Sequence, residues 1–131
     1  MTRSVIVNIF FFVLLLATIA TGCTSNQPFD RKGWNDGNGL DFPRRNLMVD
    51  DLLQKYQFKG MKYKNVVGLL HEPDGFSYDS THFYYQIILK MNALDTIRIK
   101  NLVFSWNKKD SIIADVKVAE KEYPKKDYSK K

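Results

Sequence analysis

Residues 62–91 read KYKNVVGLLHEPDGFSYDSTHFYYQIILKM, and the fold turns on a change of rhythm inside them. Tyr63, Val66, Val67 and Leu70 recur at i, i+3, i+4 and i+7, the spacing of one helix face, so residues 62–70 predict a helix that Pro73 stops. Gly68 inside it costs up to about 1 kcal/mol against Ala, which close approach of another element would explain. Beyond Glu72-Pro73-Asp74-Gly75 the period falls to two. Phe83 to Met91 then predicts a strand with Tyr85, Ile87, Leu89 and Met91 on one face.

The flanks extend both patterns. Upstream, LMVDDLLQKYQ (47–57) predicts a helix, with Asn46 as N-cap and Asp50 and Asp51 near the positive end of the dipole. Met48, Leu52 and Tyr56 stand one turn apart, flanked by Val49 and Leu53, and Gly60 closes the unit. Downstream, Thr96 to Trp106 reads as one long or bulged strand. Ile97 and Ile99 alternate with Arg98 and Lys100, after which the phase slips to align Leu102, Phe104 and Trp106. NKKDS (107–111) is a hairpin turn, and Ile112 to Ala119 a last strand with Ile112, Ala114, Val116 and Val118 on one face.

Helices followed by strands imply an α+β class. The expected architecture is two short helices on one face of a three-stranded antiparallel sheet, spanning 47–119 and followed by a charged basic tail, 120–131. The other sheet face is expected to carry Arg98, Lys100 and Lys117, open to water or to a partner.

Residues 1–22, MTRSVIVNIFFFVLLLATIATG, have the layout of a secretory signal: a basic Arg3, an apolar run and small residues before a cut. Ala20-Thr21-Gly22-Cys23 resembles the lipobox of bacterial lipoproteins, with cleavage after Gly22 and lipidation of Cys23. The departure is Ala20, where Leu is the usual residue. An uncleaved span is the competing reading, because the run is near the lower limit of about 17–25 residues. Polar Thr24, Ser25, Asn26 and Gln27 follow it, however, rather than basic stop-transfer residues. Acyl chains at roughly 0.8 kcal/mol per buried CH₂ would anchor the chain to a membrane. Thr24 after the cysteine favours the outer membrane of a bacterial envelope.

Residues 23–46 carry Gly, Pro and polar residues with no period, the composition of a tether. Phe29 and Trp34 are unusual there, and either dock a partner or fold back onto the domain.

The chain has 131 residues, a formal net charge of +6 and one cysteine. That length holds one domain and its appendages, and a single Cys allows neither an internal disulfide nor a thiolate metal cluster. Loss of Arg3 with the leader would leave about +5. The basic balance suits phospholipid headgroups, polysaccharide or an acidic protein face without choosing among them.

At Gly60-Met61-Lys62, Val66, Leu69-Leu70-His71-Glu72-Pro73-Asp74 the chain resembles small lipoproteins with a BamE-like (SmpA/OmlA) domain, in their divergent Bacteroidetes-type form. Their signature is Gly-Met-Thr, a Val four residues on, and Leu-Leu-Gly-x-Pro before an antiparallel sheet. Arg45, Met48, Asp51 and Leu52 match an upstream Arg-x-x-Met-x-x-Asp-Leu, and Trp34 has a counterpart. Lys62 replaces a capping Thr, and His71 replaces a helix-closing Gly of positive φ. The resemblance implies a non-catalytic role by protein contact, as in an accessory of outer-membrane protein assembly.

The search for chemistry is short. His71 and His82 are the two histidines, eleven residues apart in the helix–strand segment, a weak basis for a metal or acid–base site. Asp36, Asn38 and Asp41 lack the Glu an EF-hand needs at its twelfth position. There is no nucleophile elbow and no phosphate loop between strand and helix. No cofactor, metal, catalysis or nucleic-acid partner is therefore expected.

The leading reading is an envelope lipoprotein held by acylated Cys23 and binding an envelope protein. Its candidate interface is Trp34, Tyr84, Arg98, Lys100 and Trp106. The alternative is a lipid-anchored binder of an anionic ligand, such as a lipid headgroup or polysaccharide, through Arg98, Lys100 and the lysine tail. A hydrolase using His71 or His82 is the third.

Overall fold

The computed structural model describes residues 26–93, 95–126 and 129, so Gly22 and Cys23 lie outside the described residues. Among the described residues, three helices and a four-stranded antiparallel sheet form an α+β unit. The helices are α1 (Arg31–Trp34), α2 (Arg45–Lys55) and α3 (Tyr63–Leu70). The strands are β1 (Gly75–Phe76), β2 (His82–Asn92), β3 (Asp95–Asn107) and β4 (Ile112–Glu122), paired in the order β1-β2-β3-β4. No helix among the described residues is long and apolar enough to cross a membrane.

The helices and the strand faces they cover share one apolar cluster. Met48, Val49 and Leu52 of α2, with Val66 and Leu70 of α3, are buried against Phe83 and Tyr85 of β2, Leu102 and Phe104 of β3, and Ile113 of β4. Phe83 stacks on Phe104 at 5.0 Å, and Phe58 meets Phe104 edge-on at 5.1 Å. Such aromatic pairs add roughly 0.5–1.5 kcal/mol each beyond their buried area.

The segment expected to be a tether is part of this unit from residue 27 onward. The Gln27 N–H donates to the Leu47 carbonyl at 2.7 Å, and the Phe29 N–H to Asp51 Oδ2 at 2.5 Å. Asp30 caps α1 by accepting from the Gly33 N–H at 2.8 Å. Gly33 lets α1 lie on α2, since an added Cβ would come within 2.7 Å of the Met48 methyl. Trp34 is 0 % exposed.

Other expectations also shift. Helix α2 begins two residues early and its N-cap position is Arg44, without a side-chain cap bond. Asn46 lies inside the helix instead and accepts from Lys100 Nζ at 2.9 Å. Gly68 is exposed with nothing within 4 Å of an added Cβ, so no element approaches it. His71 does take the helix-closing position, at φ 67° and ψ −172°. The first strand of the sheet, β1, was missed because two residues carry no period. The last runs to Glu122, so the first residues of the expected tail are sheet. Leu89 and Met91 leave the face expected for them, because the extra residue at Ile87 shifts the phase of β2 and turns both to the outer side, where Met91 is 52 % exposed.

Each long strand contains one extra residue. Ile87 is unmatched between Gln86↔Asn101 and Ile88↔Lys100, Ile97 between Lys90↔Arg98 and Met91↔Thr96, and Ala114 between Ser105↔Asp115 and Trp106↔Ile113. Such bulges bend and twist a sheet. The one at Ala114 puts Ile113, rather than Ile112, in the core with Val116.

Candidate functional site

Register assigns every side chain to a sheet face. Opposed residues of an antiparallel pair point the same way. The inner rows are Phe83–Phe104–Val116, Tyr85–Leu102–Val118, Ile88–Lys100–Glu120 and Lys90–Arg98–Glu122. The outer rows are His82–Ser105–Asp115, Tyr84–Val103–Lys117, Gln86–Asn101–Ala119 and Leu89–Ile99–Lys121.

Arg98 and Lys100 therefore lie on the helix side of the sheet, contrary to expectation, and Lys117 alone of the three is on the outer face. No phase slip separates them from Leu102 and Phe104. The helix layer simply ends, and polar residues take over the same face. Both cations are engaged. Arg98 Nε donates to Glu120 Oε1 at 2.6 Å and lies 3.6 Å from Glu122, while Lys100 is bonded to Asn46.

The other candidates are dispersed. Trp34 is core, meeting Tyr85 edge-on at 6.3 Å, and so is not available as an interface residue. Trp106 is half-buried on the inner face; it lies 4.6 Å from the Tyr63 ring and donates through Nε1 to the Ser80 carbonyl at 3.0 Å. Tyr84 stands on the outer face beside β1, its ring lying over Gly75, where an added Cβ would come within 2.4 Å of its hydroxyl. The five candidates thus form no common surface.

The histidines do not converge either. His82 Nδ1 is 2.8 Å from Thr81 Oγ1, beside the turn that Asp79 organises. His71 borders an open depression of about 960 Å³ with Asp30, Arg31, Lys32, Asp36 and Arg44. Among the described residues, no group of three or more His, Cys, Asp or Glu is placed to hold a metal ion.

What does converge is a buried cation within the core. Arg45 is 1 % exposed. It donates through Nε to the Trp34 carbonyl at 2.8 Å, and through one terminal nitrogen to the Gln86 carbonyl at 2.8 Å and to Asp74 Oδ2. Its guanidinium lies 3.5 Å from the Phe42 ring centroid. Burial draws its pKa below the ordinary arginine value, and Asp74 opposes that shift. This network ties the segment before α2, α2 itself, the loop before β1 and strand β2 together. Its three bonds hold these elements in position.

The surface left over is the outer sheet face, which no described helix covers. Leu89, Ile99 and Val103 are half-buried there, and Lys117 and Lys121 stand on its β4 side. At its centre, Asn101 Oδ1 is shielded from solvent and has no hydrogen-bond partner. Apolar residues in both phases of β3 were the available signal, since a strand apolar on both sides is usually covered on both. Comparison with protein-family models, with curated proteins and with solved structures found no match for this chain.

Proposed function

We propose that this chain is a bacterial envelope lipoprotein, anchored by acylated Cys23, whose α+β domain acts by protein contact close to the bilayer. The observation that carries the reading is the packing of Gln27 onto Leu47. Three residues lie between Cys23 and Gln27, and those four residue steps reach roughly 14 Å at most. A chain lipidated at Cys23 would hold its domain against the headgroups rather than on a long leash. The outer sheet face, with Leu89, Ile99 and Val103 half-buried on it, is the surface offered to a partner.

The BamE-like reading belongs to the same proposal. The Arg45–Asp74 ion pair joins the two stretches that carry the resemblance, which supports a shared structural reason for both. The anionic-ligand alternative finds Arg98 paired with Glu120 and Lys100 with Asn46, so it is not advanced.

The test is a crosslinked pull-down of the lipidated chain from its own membranes, with Cys23→Ala as control. Recovery of one envelope protein, lost with Cys23→Ala and reduced by Ile99→Asp on the outer face, is the expected result. Recovery of lipid or glycan alone, stripped by salt, would overturn it.

A further inference from the structure

We propose that the free edge of β4 pairs antiparallel with the same edge of a second copy, about a two-fold axis at Val118, joining two four-stranded sheets into one of eight strands. The geometry of the edge carries the proposal. The Tyr123 N–H donates to the Ile97 carbonyl at 2.9 Å, and the Ile113 N–H donates away from β3, to the Met61 carbonyl, at 2.8 Å. In an antiparallel ladder the backbone groups of successive residues turn alternately toward and away from the neighbouring strand. Asp115, Lys117, Ala119 and Lys121 therefore turn theirs to β3, and Val116, Val118, Glu120 and Glu122 turn theirs outward.

One end of that edge is occupied. The Gly60 N–H donates to the Ile113 carbonyl at 2.8 Å, and Lys62 bridges Ile112. From Asp115 to Glu122 no described backbone group pairs with the outer side. The part of that run that two copies can share, Asp115 to Lys121, is centred at Val118, an apolar residue 38 % exposed on that edge.

Charge then selects the register. A two-fold at Val118 sets Asp115 opposite the partner's Lys121 and Lys121 opposite the partner's Asp115, with Lys117 opposite Ala119 and Val118 opposite Val118. A two-fold at Lys117 sets lysine against lysine. One at Ala119 sets Lys117 against Lys121 twice, and one at Glu120 sets glutamate against glutamate. A two-fold at Val116 sets Val118 and all that follows it against the Ile113 position that Gly60 and Met61 occupy. At Val118 the paired run is Asp115 to Lys121 and only Glu122 reaches that position, so there the strand turns aside. Edge lysines ordinarily protect a strand from indiscriminate pairing. Here Lys117 and Lys121 reject neighbouring registers, and Asp115 admits one.

The experiment is sedimentation of the full chain in density-matched detergent, at up to about 100 µM, where a small edge interface is populated. The unaltered chain should sediment as a dimer. Val118→Pro removes an outward N–H and no bond to β3, so it should give a monomer with unchanged circular dichroism. Asp115→Lys and Lys121→Asp should each weaken the dimer about tenfold, because two opposed pairs become like-charged. The two together should restore it. A monomeric unaltered chain, a dimer that survives Val118→Pro, or a double reversal that stays monomeric would each overturn the proposal.

Discussion

The guanidinium of Arg45 and the carboxylate of Asp74 form an ion pair that clamps the start of α2 to the loop entering β1. Asp74 also accepts from the Gln86 N–H at 2.7 Å, so the pair sets the edge of β2 as well. Removing one partner of a buried pair leaves the other uncompensated. Arg45→Ala should cost about 3 kcal/mol or more, read as a lowered urea midpoint. Arg45→Lys should recover little of it, because a single ammonium cannot serve Trp34, Gln86 and Asp74 in one plane. A loss below about 0.5 kcal/mol, the scale of an exposed pair, would sink this account.

Trp34 should behave as a core residue. Trp34→Ala should destabilise by about 3–5 kcal/mol, and amide exchange should show protection beginning before α2. A tether would give the opposite result, with no change in the melting transition.

His71 sits at φ 67° and ψ −172°, a backbone region that glycine alone occupies without strain. Its N–H caps α3 by donating to the Val67 carbonyl at 2.8 Å, and its carbonyl accepts from the Tyr85 hydroxyl at 2.7 Å, so the fold imposes the conformation. His71→Gly should raise stability by about 1 kcal/mol, and a β-branched residue there should lower it by more. Thermal melts of the two variants check this, and a destabilised glycine variant would count against it.

The turn before β2 should be sensitive to acid. Hydrogen bonds from Ser77 Oγ, then from the Thr81 N–H and hydroxyl, hold the Asp79 carboxyl down at about 2 against an ordinary 3.8. A carboxyl whose pKa is depressed on folding contributes stability that is complete above the unfolded value and lost as pH falls through the folded one. The loss therefore falls between 3.8 and about 2. The melting temperatures of Asp79→Asn and the unaltered chain should converge over that window. A gap that stays constant with pH would remove Asp79 from the explanation.

Much of this architecture was legible because it is local. The period change after Leu70 placed α3 within a residue of its observed limits, and the polar run at 107–111 placed the β3–β4 turn. The positive φ of His71 was an expectation only through the resemblance, in which a helix-closing glycine stands at that position. Helix α1 was not legible, since four residues make barely one turn and show no period. Its burial depends on a partner far along the chain, Tyr85 against Trp34, and the Phe29 that precedes it likewise meets Tyr56. The side of the sheet taken by Arg98 and Lys100 was misread for a related reason. Their polarity suggested a flipped strand, when what changes is the helix layer above it. Asn46 reaching Lys100 marks where that layer stops.

The extra residues at Ile87, Ile97 and Ala114 also bear on which changes of length the chain can absorb. Elsewhere in these strands a one-residue deletion would turn every following core side chain toward water. At a bulge the same deletion removes an unmatched residue and leaves a regular ladder, with straighter strands and less twist. Ala114 is the most permissive of the three, being exposed, whereas Ile87 is core. A family descended from this chain would thus be expected to vary in length at position 114, keeping its core while changing the curvature of the edge.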